Sequence, residues 1–202
     1  MGNNVKASSS IKYQVKYDKN GGIYANIRGL FPSCNKSKIP YLQDLAHVSN
    51  APFILLTESH LNPQIMDAEI QIKNYTLYRS DRLNRSHGGV CTYIRNDLAA
   101  EVILQDSNSY CDTLALKVLQ LDLILINVYR PPGCPNELFL QTIETLKQML
   151  KNIEEHNHSS PNILIFGDFN FPEIKWENCS GYFKDKNQNL NKEQSNQKKQ
   201  AV

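Results

Sequence analysis

Apolar and polar positions along the chain alternate between a short-period and a helical pattern. Residues 1–20 show no sustained periodicity and read as a polar leader. Gly21-Gly22 then precedes a short apolar run, Ile23 to Ile27, of strand type. Ile39, Leu42, Leu45 and Ala46 recur at helical spacing, with Ser37 placed to cap and Pro40 in the first turn, so the pattern predicts a helix over about 38–48. Pro52 marks its end, and Phe53 to Thr57 is a continuous apolar run of the buried-strand type that delivers Glu58 at its C-terminal end.

Short strand candidates follow at Tyr75 to Arg79, Gly89 to Arg95 and Glu101 to Leu104, each bounded by Asn, Asp, Ser or Gly, as in an antiparallel arrangement. Thr113 to Val118 and Leu123 to Tyr129 flank a tight connection at Gln120 to Asp122, which predicts a hairpin whose second strand is buried on both faces. Pro131-Pro132 ends that strand. Phe139, Ile143, Leu146, Leu150 and Ile153 form an apolar stripe, predicting an amphipathic helix from Glu137 to about Glu155. Asn162 to Phe166 reads as another buried strand, ending in the turn Gly167-Asp168-Phe169-Asn170. Residues 184–200 are dominated by Lys, Asn and Gln, so 179–202 is expected to be a polar, disordered tail behind a domain spanning 21–178. There is no internal repeat.

Composition narrows the class. A chain of 202 residues with 41% hydrophobic and 21% charged positions can bury one sizeable core. The 22 basic and 20 acidic residues leave a net charge of +2, too small to hold nucleic acid through an overall field, so any such contact is local. The five cysteines (Cys34, Cys91, Cys111, Cys134, Cys179) show no zinc-ligand spacing and read as reduced, mostly structural thiols. The N-terminus lacks a signal-peptide core and no apolar run reaches membrane length. The expectation is an intracellular protein, cytoplasmic or nuclear and not secreted, with no membrane contact and no small-molecule cofactor. Oligomeric state is not legible.

The candidate chemistry lies where apolar strands end in polar residues that a core would not choose: Asn26, Glu58, and Asp168 with Asn170. Loops at one end of a layered α/β protein converge, and carboxylates with carboxamides there suit a hard cation such as magnesium. Turn capping is the ordinary alternative for each position singly. Tyr129, ahead of Arg130 and the two prolines, has a core tyrosine as its ordinary alternative.

Asn26-Ile27-Arg28-Gly29-Leu30, Leu56-Thr57-Glu58-Ser59, Gly88-Gly89-Val90 leading to Tyr93-Ile94-Arg95, Asn127-Val128-Tyr129-Arg130-Pro131-Pro132, and Gly167-Asp168-Phe169-Asn170 occur in that order. Together they resemble the endonuclease/exonuclease/phosphatase superfamily, and most closely the apurinic-type endonuclease domain of non-LTR (LINE-like) retrotransposons. One such motif is weak alone; five in order are specific. The resemblance implies a four-layer, two-sheet α/β sandwich, incomplete at its C-terminus, that cleaves DNA phosphodiesters with Mg2+, Mn2+ being the alternative. It implies Glu58 as metal ligand with Asn26 in the metal and phosphate shell, Asp168 orienting and deprotonating water, Asn170 bonding the scissile phosphate, and Tyr129 donating to it. Arg28, Arg79, Arg95 and Arg130 become candidates for backbone phosphates of DNA, the expected partner, although each is more often a solvated charge.

The family pattern continues to a terminal Ser-Asp-His segment, and no histidine follows His158 among His47, His60, His87, His156 and His158. The 202 residues are therefore expected to nick DNA weakly or not at all. A phosphatase or RNA nuclease of the same fold, and a catalytically inert nucleic-acid or partner-binding fragment, are the competing readings. Missing strands would also leave an apolar sheet edge uncovered.

Overall fold

A computed structural model describes residues 21–31, 36–82, 87–107, 110–157, 161–171, 174–177 and 180–183. The polar leader, the tail beyond 183, Cys34 and Cys179 lie outside the described residues. The chain divides into two compact units, Met1–Phe169 and Asn170–Val202.

In the first unit, Ile23–Asn26 (β1), Phe53–Thr57 (β2), Tyr75–Ser80 (β3) and Val90–Arg95 (β4) form a sheet of order β1-β2-β4-β3. Its β1–β2 pair is parallel and its other pairs antiparallel. Ala100–Ser107 (β5), Asp112–Val118 (β6), Leu123–Tyr129 (β7) and Asn162–Asp168 (β8) form the second sheet in sequence order, with β7–β8 parallel. The helices are Ile39–Ser49 (α1) and Asn136–Asn157 (α2). Two mixed four-stranded sheets with few helices are the α/β sandwich expected from the sequence. In the second unit, Ile174–Glu177 (β9) and Ser180–Phe183 (β10) pair as an antiparallel hairpin.

Side-chain alternation along β2 explains the layering. Ile54 and Leu56 join Ile39, Leu42 and Ala46 of α1 in one core, while Phe53 and Leu55 face Leu114, Leu116, Leu123 and Leu125 in another between the sheets. All five β2 residues and all seven β7 residues are buried, as a strand covered on both faces requires. α2 presents Phe139 and Leu146 inward as its stripe predicts, together with Thr142.

Two expectations change. The α1 cap is Lys38 rather than Ser37, although the Ser37 Oγ still accepts from the Ile39 N–H at 3.2 Å, so the hydroxyl reaches an open helix N–H from one position further out. The larger correction concerns β8. Ile163, Leu164 and Ile165 are 39%, 43% and 52% exposed, and since consecutive strand residues point to opposite faces, both faces of β8 lack cover; β8 is also an edge of its sheet among the described residues. An apolar run reads identically whether or not a neighbour covers it.

Candidate active site

Register brings the strand ends together. In the parallel β1–β2 pair Asn26 lies beside Thr57, so Glu58 leaves the sheet next to Asn26. In the parallel β7–β8 pair Tyr129 lies beside Asp168. Both pairs deliver their C-terminal ends to one end of the sandwich, and the Asn26 Nδ2 donates to Glu58 Oε1 and to Asp168 Oδ2, each at 2.7 Å. The Asn26 Oδ1 accepts from the Arg28 N–H at 3.2 Å, which fixes the amide with its nitrogen toward the carboxylates. Two carboxylates from opposite sheets thus share one positive-edged donor. Three of the five predicted site residues, Asn26, Glu58 and Asp168, are in direct contact.

The Glu58 loop is held by backbone on both sides. Gly29 N–H donates to Glu58 O at 2.7 Å, Ser59 N–H to Gly89 O at 3.1 Å and His60 N–H to Gly88 O at 2.8 Å. Arg28, Glu58 and His60 adopt positive φ values of 48°, 53° and 54°, a conformation that persists in non-glycine residues when its surroundings enforce it. Gly29 is required here, since a Cβ would stand 2.9 Å from the His60 ring in a backbone with φ of 83°. Lys38 Nζ donates to Ile27 O, tying α1 to the loop after Asn26.

Tyr129 is buried, and burial pushes its hydroxyl upward from the ordinary value, reinforced by the negative charge of Glu58, so it stays a neutral donor near pH 7. Tyr24, whose hydroxyl meets Thr57 Oγ1 at 3.1 Å, is pushed up to about 12 by burial, with the charges of Asp168 and Glu58 acting the same way. His60 Nε2 is buried, makes no hydrogen bond and lies 3.7 Å from Glu58 Oε2; burial, then the neighbouring His87, lower its basicity. The His60 and His87 rings meet edge to face at 4.8 Å.

Behind Tyr129 lies a polar group that sequence reasoning missed. Asp112, fully buried, pairs with Arg82 Nε at 3.2 Å and accepts the Gly89 N–H at 2.8 Å, while the Arg82 guanidinium sits 5.8 Å from the centre of the Tyr129 ring. Burial raises the Asp112 carboxyl, against the pull of Gly89 and Arg82. A charge opening an apolar strand was its only signal in the sequence.

The four arginines separate clearly. Arg28 is exposed beside Asn26. Arg79 is clamped by Asp67 and Asp81 and by the carbonyls of Ile65 and Asn62, and Arg95 by Asp97 and the Asn50 carbonyl. Arg130 is buried: its N–H donates to Asp168 O at 2.8 Å and its guanidinium to Phe169 O at 3.3 Å and to Cys134 O. Asn170 opens the second unit, with a left-handed φ of 45°.

Among the described residues no three His, Cys, Asp or Glu side chains converge as a metal cluster. The two carboxylates on one amide still fit a cation that keeps several waters and takes one or two carboxylates, as magnesium does.

A family model described as Endonuclease/Exonuclease/phosphatase family matches residues 23–187. The chain belongs to that family. The fold agrees with the AP endonuclease LMAP from Leishmania major, at 16% identity and a TM-score of 0.56, over 82% of this chain. The chain spans 61% of that protein's length. Also similar are the 3′ phosphatase NExo from Neisseria bound to a product DNA hairpin (18% identity, TM-score 0.49, 74% and 57% of the two chains) and humanized D. rerio TDP2 (14%, 0.49, 76% and 63%). Among the described residues no helix is long and apolar enough to cross a membrane.

Proposed function

We propose that this member of the family is a metal-dependent DNA endonuclease of the non-LTR retrotransposon type, nicking one strand to leave a 3′-hydroxyl that primes reverse transcription. The observation that carries the reading is the Asn26 amide bridging Glu58 and Asp168 with Tyr129 in register beside Asp168. The motif versions Tyr129-Arg130-Pro131-Pro132 and Gly167-Asp168-Phe169-Asn170 supply the subtype.

A magnesium or manganese ion held by Glu58, with Asn26 beside it, would polarise a phosphoryl oxygen. Asp168 orients the attacking water and takes its proton, a role served by the short Asn26 contact that fixes the carboxylate. Tyr129 donates its hydroxyl to the phosphate as charge grows; burial keeps that proton in place. Arg28, exposed at the rim, meets a flanking DNA phosphate, whereas Arg79, Arg95 and Arg130 brace loops with their carboxylate and carbonyl partners. The assignment of Asn170 to the scissile phosphate rests on its motif.

The second reading, binding without turnover, is favoured by His60, the histidine beside Glu58. Burial and His87 lower its basicity, so it carries no charge to a phosphate near pH 7. A site that lacks a cationic donor to the scissile phosphate loses roughly 10²–10³-fold in rate. Incubating the chain with supercoiled plasmid and magnesium separates the two. Nicking that is abolished by chelation and lowered at least about 10²-fold by Asp168→Ala supports the nuclease. DNA binding with no nicking above the Asp168→Ala background supports the binding module, and neither activity removes both.

A further inference from the structure

Cys111 stands immediately before β6 and Cys134 in the loop that follows β7, yet their Sγ atoms lie 3.8 Å apart. Both are buried thiols, Cys111 fully and Cys134 at 5% exposure. Their settings differ in a way that assigns an order of reaction. Cys134 is the inward-turned member of an otherwise accessible loop, flanked by exposed Pro132, Gly133, Pro135 and Asn136. Gly133 has a φ of 74° and open space where a Cβ would be, and the Cys134 N–H donates to Pro131 O at 3.2 Å, so an opening of the loop that exposes the sulfur has that bond and the Arg130 contact to Cys134 O to break. Cys91, by contrast, sits within β4 in the α1-side core.

We propose that Cys111 and Cys134 form a redox modification site, a reversible disulfide made by a hydroperoxide. The peroxide transfers its terminal oxygen to the Cys134 sulfur: the O–O bond breaks, an S–O bond forms, and the alcohol, or water from hydrogen peroxide, leaves with the thiol proton. The Cys111 sulfur then attacks the Cys134 sulfur, an S–S bond forms, the S–O bond breaks, and hydroxide leaves with the Cys111 proton as water. Each cysteine loses one electron and the peroxide accepts both. Burial, which pushes the Cys111 thiol up to about 12, keeps it protonated and slow toward free peroxide, and its part in the second step rests on its 3.8 Å contact with the Cys134 sulfur.

The bond would act on the strand ends as well as on the loop. Arg130 donates from its guanidinium to Cys134 O and from its backbone N–H to Asp168 O, so pinning Cys134 to β6 pins the brace behind the Asp168 turn. The inference does not depend on the substrate of the site.

The test treats the full chain with hydrogen peroxide, blocks remaining thiols with an alkylating agent and maps peptides without reduction. Expected are the loss of two of the five thiols, a Cys111–Cys134 linked peptide two hydrogen masses lighter than its parts, and recovery of both thiols with dithiothreitol. The oxidised chain should melt several degrees above the reduced chain, a shift absent in Cys134→Ser. Retention of all thiols overturns the proposal. So does oxidation that appears only as Cys134 sulfinic acid, or as bridges to Cys34, Cys91 or Cys179.

Discussion

β7 and β8 run side by side, parallel and in register over seven residue pairs, and both are rich in Ile and Leu. Every residue of β7 is buried, while Ile163, Leu164 and Ile165 of β8 are between 39% and 52% exposed. The difference is cover: β7 lies within the sheet and packs against the other sheet, whereas β8, an edge among the described residues, leaves side chains of both faces exposed. Yet the two strands contribute equally to the site, Tyr129 from one and Asp168 from the other. Alignment of strand ends depends on register, whereas stability depends on cover, and the two properties separate here.

Shortening Leu125, 1% exposed between the sheets, tests the buried member of the pair: Leu125→Ala should lower unfolding free energy by roughly 3–5 kcal/mol in chemical denaturation. A loss under about 1 kcal/mol would mean the inter-sheet core is looser than its burial indicates. Gly167 tests the contact between the strands. A Cβ there would lie 2.2 Å from the Val128 carbonyl oxygen, so Gly167→Ala should cost roughly 2–3 kcal/mol and shift Asp168 away from Tyr129. Unchanged stability together with unchanged DNA nicking or binding would refute the close approach.

The next effect is on pH. Tyr24 stacks on Phe166 of β8 at 6.2 Å and titrates near 12 when folded, against an ordinary value of 10. The unfolded chain therefore loses this proton first, so the stabilisation is complete below pH 10 and is lost as pH rises toward 12, on the order of 2 kcal/mol. Tyr24→Phe should flatten that part of the stability profile; an unaltered slope would assign it to other buried tyrosines. The smallest effect belongs to the exposed strand. Ile165→Ser should change stability by no more than about 0.5 kcal/mol while raising the concentration at which the protein aggregates. A loss of several kcal/mol would show that β8 is covered in solution.

Much of this was legible in the residues. The strands ending at Asn26, Tyr129 and Asp168, and the one that ends at Thr57 just before Glu58, follow from short apolar runs closed by polar side chains, because period and punctuation are local properties of the chain. The α1 cap falls at Lys38, whose side chain makes no capping bond, while the Ser37 hydroxyl serves the helix end from one position further out. The pairing of Asp112 with Arg82 was not legible, since two charges 30 residues apart carry no local sign that they will meet in a core.

The sequence by itself determined the element types, the family motifs and the set of oxygen-bearing residues at strand ends. Only the tertiary structure decided that one Asn26 amide bonds both Glu58, 32 residues away, and Asp168, 142 residues away, that Arg130 is a brace, and that β8 is an edge among the described residues. The physical reason is the range of each interaction. Backbone preference and apolar period act over a few residues, whereas contact between distant side chains and the cover of a sheet arise only when whole strands take their places.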